Sequence, residues 1–437
     1  MSSSKKPNFI FILADDLGHA DLGCYGGRAP VSPNIDRLAA QGLRFTQGYS
    51  NSPVCSPTRF ALMTGRYQYH FRGAAEEPLH GPNAALPSHG LSPELPTLPR
   101  LLQQAGYRTG LVGKWHLGNP PHCGPQLSGY DEYFSMMGGG VDYFTHTNAV
   151  GQKDLWHNGE LVEDDTYLTD LLSDQAIDFV ERCARDDQPF LLSLHYNAPH
   201  WPWETREDRE LAKSLVGDSK IFHLDGGSVE TYQTMIHHMD EGIGRLMAVL
   251  DRLDLTQDTL IVFTSDNGGE RFSDSWPLVG GKMDLTEGGI RVPYVVRWPA
   301  RIPAGHTSRQ QLITMDWVPT MLEAAGVDLA QAPAFDGISL LPFLQDPDLM
   351  QERTLYWRMN HRQQKAALRG DWKYLEVDGN RYLFNISQDA RERANQIRKH
   401  PEIFDDLQQD WTRWSQEIPA IPPDAHITLV YTKKDMP

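Results

Sequence analysis

The chain has 437 residues, 40% of them hydrophobic and 22% charged, which is enough apolar material for a sizeable core. Its 37 glycines and 30 prolines are too few for a collagen-like or low-complexity chain. Forty basic against 57 acidic residues leave a formal charge of −17, which repels a nucleic-acid backbone but not a small anion drawn into a cleft by a few cations or a metal.

In chain order, 'KKPNFIFILADD' comes first, with an apolar run from Phe9 to Ala14. The run is too short to span a bilayer and lacks a signal-peptide cleavage region. No membrane segment is expected, and the location reads as cytoplasmic on this sequence, or periplasmic or secreted if an export signal has been removed. Continuous apolar character predicts a buried parallel strand over 8–14, with Asp15 and Asp16 at its carboxyl end. Ser32-Pro33 is expected to cap a helix that turns Ile35, Leu38 and Ala39 inward. A short helix is expected over 60–64, just after Cys55. Strands are predicted to end near Gly113 and Tyr196, and a helix over about 229–253 spaces Met235, Met239, Ile243, Leu246 and Leu250 for core packing. 'DTLIVFTSDNGG' at 258–269 is another strand opening into a polar turn. This rhythm predicts an α/β fold: a large mixed β-sheet covered by helices.

Composition changes near residue 345. Short aromatic and β-branched segments at 366–386, then an amphipathic helix candidate at 388–417, predict a smaller domain with an antiparallel sheet and one helix. The expected division is 1–345 and 346–437. Within the tail, 'RERANQIRKH' at 391–400 mixes signs and reads as a solvated helix face, not a basic patch.

Asp15-Asp16 and Asp266-Asn267 follow two different strands, and their crowded carboxylates call for an offsetting cation. Together they make an all-oxygen set for calcium or magnesium, without the clustered Cys or His of a structural zinc site. Cys24, Cys55, Cys123 and Cys183 show no CxxC spacing, and most read as reduced thiols, with Cys55 set apart by its surroundings. Cys55 stands at the positive end of its helix with Arg59 one turn on, surroundings expected to lower a thiol pKa and to favour an anion. Lys114 and His116, two apart on an extended segment, are expected to point the same way. His200 lies in the aromatic loop 'NAPHWP', whereas His195 lies within an apolar strand and reads as a hydrogen-bonded core or supporting residue. Lys282 adjoins a Gly-rich turn that permits close backbone approach. Exposed Trp201 and Trp203 are candidate contacts for a sugar or aromatic leaving group, or else pack at the mouth of a cleft. Glu287-Gly288-Gly289 lacks the setting of a phosphate loop, and no Rossmann or Walker pattern is present.

Together these segments resemble the sulfatase family of the alkaline phosphatase superfamily. The family's C-x-P-x-R signature is intact as Cys55-Ser56-Pro57-Thr58-Arg59. 'FILADDLGHADLGCYGG', 'GLVGKWHLG', 'NAPHWP', 'FTSDNGG' and 'GGKMDLTEGGIRVP' resemble its site segments in order, and the tail resembles its smaller C-terminal domain. The resemblance implies an alkaline-phosphatase-like fold and hydrolysis of a small organic or carbohydrate sulfate monoester to an alcohol or phenol and inorganic sulfate. It implies that a maturation enzyme converts Cys55 to Cα-formylglycine, whose hydrate has one hydroxyl to attack sulfur and another to expel sulfate. By the same resemblance, Asp15, Asp16, Asp266, Asn267 and the modified Cys55 hold calcium, with magnesium the nearer alternative. Arg59 and Lys114 would stabilise the ionised hydrate, Lys282 and His200 would contact the sulfuryl group, and His116 would take the remaining hydroxyl proton. The rivals are a phosphonate monoester or phosphodiester hydrolase of the same superfamily and a non-catalytic sulfate-ester-binding protein with Cys55 unmodified. The sequence does not fix the leaving group or the oligomeric state.

Overall fold

The computed structural model describes residues 6–215 and 226–428. Asn8–Ala14 is a central strand of a ten-stranded mixed sheet, flanked in parallel by Phe190–His195 and Thr259–Ser265. Arg108–Lys114 and Glu132–Met136 continue the parallel set on one side; Tyr294–Arg297 runs antiparallel on the other, and short strands finish both edges. Phe9, Phe11 and Leu13 face the helices Cys55–Thr64, Leu98–Gln104 and Trp317–Ala324. Ile10, Ile12 and Ala14 face Pro33–Ala40, Leu168–Arg185 and Val229–Arg252. Both sheet faces are dry, so the strand has to be apolar throughout. Each fully buried aliphatic or aromatic side chain contributes roughly 1.5–3 kcal/mol. The core thus holds the site without disulfides, and all four cysteines are unpaired.

Met235 and Met239 are buried in this core, as their spacing requires. Ser32 stands at the expected N-cap position but does not cap: its Oγ accepts from the Gly23 amide at 2.9 Å. The capping acceptor is Asp240, whose carboxylate takes the Asn34 and Ile35 amides at 2.8–3.0 Å from the neighbouring long helix. Among the described residues, no helix is long and apolar enough to cross a membrane.

A separate four-stranded antiparallel sheet runs in chain order through Thr354–Met359, Gln364–Arg369, Trp372–Val377 and Asn380–Asn385. The helix Pro401–Glu417 covers one face through Phe404 and Leu407. This helix is shorter than the 388–417 expectation. Residues 389–400 form turns, with the Asp389 carboxylate taking the Arg393 and Ala394 amides, and Pro401 opens the helix afresh. The other sheet face packs Leu368, Leu375 and Phe384 into the cluster that contains Cys55, Leu285 and Ile290. The small sheet therefore backs directly onto the segments of the site.

Candidate active site

The parallel strands deliver their carboxyl ends to one place. Asp15 and Asp16 follow Ala14, Asp266 and Asn267 follow Ser265, and Lys114 closes its own strand. Gly113 permits this crowding: with φ +107° it lies so close to the next strand that a Cβ would stand 1.8 Å from the His195 carbonyl oxygen. Cys55 is the first residue of its helix, which begins five residues earlier than expected. The Cys55 Sγ and carboxylate oxygens of Asp15 and Asp266 lie within 4.8 Å of one another; so do ligand atoms of Asp15, Asp16 and His200.

Each acid has a cation. Lys114 Nζ meets Asp15 Oδ2 at 2.5 Å, Lys282 Nζ meets Asp16 Oδ2 at 2.7 Å, and Arg59 gives two bonds to Asp266 Oδ2 at 2.8 and 3.1 Å. Arg59 also donates to the Lys114 carbonyl at 3.0 Å, which fixes its plane. Asn267 Nδ2 donates to Asp16 Oδ1 at 2.6 Å. Asp15 Oδ1 and Asn267 Oδ1 are buried acceptors without a hydrogen-bond partner. Such orphaned hard oxygens beside crowded carboxylates fit a divalent cation.

The charge balance agrees with that fit. Burial and the Asp15 charge push Asp266 up to about 7, whereas Asp16, against the same burial, is held at about 2 by Lys282, His200 and Lys114. Burial pushes the Cys55 thiol up to about 11 although Lys114 and Lys282 pull it down. The expectation of a lowered thiol pKa therefore fails: desolvation at this fully enclosed helix start outweighs the cations.

His116 adopts φ +59° just after the strand, so the backbone leaves the extended conformation at His116 itself. Its Nε2 lies 2.7 Å from the Leu79 carbonyl and must carry the proton there, leaving Nδ1 as a buried acceptor. Burial, then Lys114 and Arg59, hold its pKa well below the usual range and keep the ring neutral. His200 is also held neutral, by burial and Lys282; its Nδ1 donates to the Trp201 carbonyl at 2.6 Å and Nε2 stands 3.6 Å from Asp16. His195 is buried with Nδ1 3.2 Å from the Lys114 carbonyl, the supporting position its strand implied. Trp201 packs on the His200 ring with Lys282 Nζ over its face at 5.9 Å. Trp203 is buried edge-on against Phe272, which corrects the expectation that it is exposed.

The Lys282 loop is tied to both sheets. The Lys282 amide donates to Gly269, the Met283 amide donates to Pro53 beside the Cys55 helix, and Gln364 of the small sheet clamps the far side. Gln364 Oε1 accepts the Leu285 amide and its Nε2 donates to the Met283 carbonyl, both at 2.8 Å. Lys373, wholly buried, bridges Glu287 and Glu392 at 2.9 Å each, and Glu392 accepts the Glu287 amide at 2.7 Å. Glu287 is thus an anchor within 'EGG', and Glu392 lies inside the segment expected to be a solvated helix face. Sequence reasoning also missed Glu270, a largely enclosed carboxyl 3.8 Å from Lys282 that desolvation raises to about 8. Its signal was position: it directly follows the 'DNGG' turn.

The sequence as a whole matches a family model described as Sulfatase over residues 7–327, and one described as N-sulphoglucosamine sulphohydrolase, C-terminal, over 281–410. The chain belongs to the sulfatase family of the alkaline phosphatase superfamily and is a sulfuric ester hydrolase. It is 34% identical over 372 residues to the N-acetylgalactosamine-6-sulfatase of Homo sapiens, covering 80% of this chain and 68% of that one. The solved structure of Ps i-CgsB in complex with k-i-k-neocarrahexaose superposes with a TM-score of 0.83 at 32% identity, over 97% of this chain and 95% of that one. The fold alone is shared with the phosphonate monoester hydrolase of Agrobacterium radiobacter, at TM-score 0.66 and 19% identity over 94% and 96%.

Proposed function

We propose that the protein hydrolyses a sulfate monoester on a carbohydrate, with Cys55 matured to formylglycine by a separate enzyme and a divalent cation held by Asp15, Asp16, Asp266, Asn267 and residue 55. The observation that carries this reading is the buried ring around Cys55, where Asp15, Asp266 and Sγ share one 4.8 Å neighbourhood. The carbohydrate class follows from the relatives, one an N-acetylgalactosamine-6-sulfatase and another holding a carrahexaose. The cation, calcium before magnesium because several protein oxygens gathered at one site suit calcium's larger, flexible shell whereas magnesium usually keeps several waters, polarises sulfate oxygens when bound. The hydrated formylglycine supplies one hydroxyl for attack and another for release of sulfate.

The chain's own groups do the rest. Arg59 and Lys114 set positive charge beside position 55, favouring its ionised hydroxyl. Lys282 offers a permanent cation to the sulfuryl oxygens, held charged against burial chiefly by Asp16. His200 turns Nε2 toward the same anion, whose arrival raises its proton affinity and equips it to protonate the leaving oxygen. His116, neutral with Nδ1 open, accepts the second hydroxyl proton. Residues 1–345 form the catalytic domain in this reading, and 346–437 the smaller one.

The test is a panel of aryl, steroid and sugar sulfates with a phosphonate ester control, ranked by kcat/KM on matured, metal-loaded protein. Preference for a sugar sulfate is expected. Efficient phosphonate turnover with no sulfate hydrolysed transfers the protein to the rival activity.

A further inference from the structure

Among the described residues, Trp276 is the one Trp, Tyr or Phe side chain that stands exposed, with 59% of its surface open. It occupies the loop that leaves the site at Glu270 and returns at Lys282, both of which border Asp16. Val279, also exposed, follows in the same loop. The guanidinium of Arg391, which belongs to the small domain, lies 4.7 Å from the Trp276 ring centroid. An indole left in water on a loop whose two ends border the active site, with a cation already on it, has no role in the core and the shape of a stacking platform.

Both partners are fixed in advance. The Trp276 amide donates to Asp274 Oδ1 at 2.9 Å, the Asp274 amide donates to Asp21, and Arg28 grips the Asp274 carboxylate at 2.5 Å. Arg391 precedes Glu392, whose carboxylate is locked between Lys373 and the Glu287 amide. Among the described residues no carboxylate pairs with Arg391, so its charge is open to a ligand. A platform that needs no ordering on binding retains more of its contact energy.

We infer that Trp276 and Arg391 form a subsite for a second sugar of a sulfated oligosaccharide, next to the unit whose ester is cleaved. The indole stacks on the apolar face of the pyranose, and the guanidinium pairs with a sulfate on that unit or its neighbour. In a chain of net charge −17 an unpaired cation on such a rim selects a polyanionic glycan over a neutral one. The inference rests on the carbohydrate-sulfate reading above and adds length and charge to it: the substrate is an oligomer sulfated at more than one unit.

The experiment has a kinetic and a binding arm. Trp276→Ala, Trp276→Phe and Arg391→Ala are compared with the wild type on a small aryl sulfate and on two hexasaccharides, k-i-k-neocarrahexaose and a sulfated glycosaminoglycan. Trp276→Ala is expected to raise KM for an accepted hexasaccharide about tenfold, with aryl sulfate turnover unchanged within about twofold. Trp276→Phe should recover most of the loss. Arg391→Ala should give a smaller loss that disappears as salt is raised. In the binding arm, calorimetric titration of the turnover-dead Cys55→Ser protein reads the platform even if no sulfate ester is hydrolysed, which separates failure of the subsite from failure of the sulfatase reading. Equal losses on aryl sulfate and hexasaccharide, unchanged hexasaccharide affinity in Trp276→Ala, or no binding of either hexasaccharide would each overturn the inference.

Discussion

The site has two halves held by different forces. Asp15, Asp16, Asp266, Asn267 and Lys114 sit at strand ends, where parallel ladders and a dry core on both faces fix the backbone. Lys282 sits on a loop with almost no regular structure, and side chains of the second sheet fix it: Gln364 on the backbone, Lys373 between Glu287 and Glu392. A ladder spreads its support over many equivalent bonds. A buried polar network concentrates it, so removing one member strands the others without water. The strand-end half should therefore respond to substitution through chemistry, and the loop half through position.

The largest effect falls where the halves meet. Cys55→Ala should abolish turnover, at least about 10⁴-fold, because both hydroxyls of the proposed nucleophile vanish. Peptide mass spectrometry of active wild-type protein should show residue 55 about 18 Da lighter than cysteine. Fully active protein with intact cysteine at 55 breaks the scheme at its centre.

Next comes the strand-end half. Asp266→Asn keeps the shape but removes the carboxylate charge, so metal content should fall and kcat drop by about 10²–10³, with a smaller loss of stability because the Asn oxygen can still accept from Arg59. Elemental analysis beside kinetics checks this. A melting loss as large as the activity loss would show that the ladder does not hold this half independently.

The loop half gives a smaller effect of another kind. Gln364→Ala removes the partners of the Leu285 amide and the Met283 carbonyl, which costs roughly 1–3 kcal/mol and loosens the backbone beside Lys282. We expect kcat to fall about tenfold while metal content stays at the wild-type level. Loss of metal in this variant would mean that the two halves are one mechanical unit.

The same contrast explains what the sequence revealed. Four of the parallel strands, the methionine-bearing helix and every strand-end acid were legible because apolar runs and the polar turns after them are local patterns; Glu132–Met136, a short fifth strand, was not read. Gln364, Lys373 and Glu392 were illegible because a lone Gln or Lys on a strand ordinarily faces water, and only the docking of one sheet on the other buries it. Trp203 was misjudged for that reason too: its burial depends on Phe272, 69 residues away in the chain. The raised thiol pKa of Cys55 ran against expectation because helix position is readable from sequence whereas full desolvation is not.

The smallest expected effect concerns the loop that carries His200, which is held by neither device. Its Glu204, almost wholly buried, accepts the Tyr143 amide at 3.1 Å, and burial together with the neighbouring Asp142 charge pushes its pKa up to about 9. Tyr143 in turn donates to the His200 carbonyl at 2.9 Å, so this carboxyl steadies the His200 backbone. For an acid raised on folding, the folded state binds the extra proton. The unfolded group ionises near 4.5 and the folded one near 9, so this contribution to stability is constant below about 4.5, declines through the interval and is fully lost above about 9. Gln at this position keeps an acceptor for Tyr143 and a donor for Asp142 without titrating. Glu204→Gln should therefore melt close to the wild type at pH 5 and above it at pH 9, by about 1 °C for each kcal/mol of penalty removed in a chain of this length. Melting curves of both proteins across that range decide the matter, because parallel curves would mean that the loop is held by packing alone and that Glu204 does not carry the proton assigned to it.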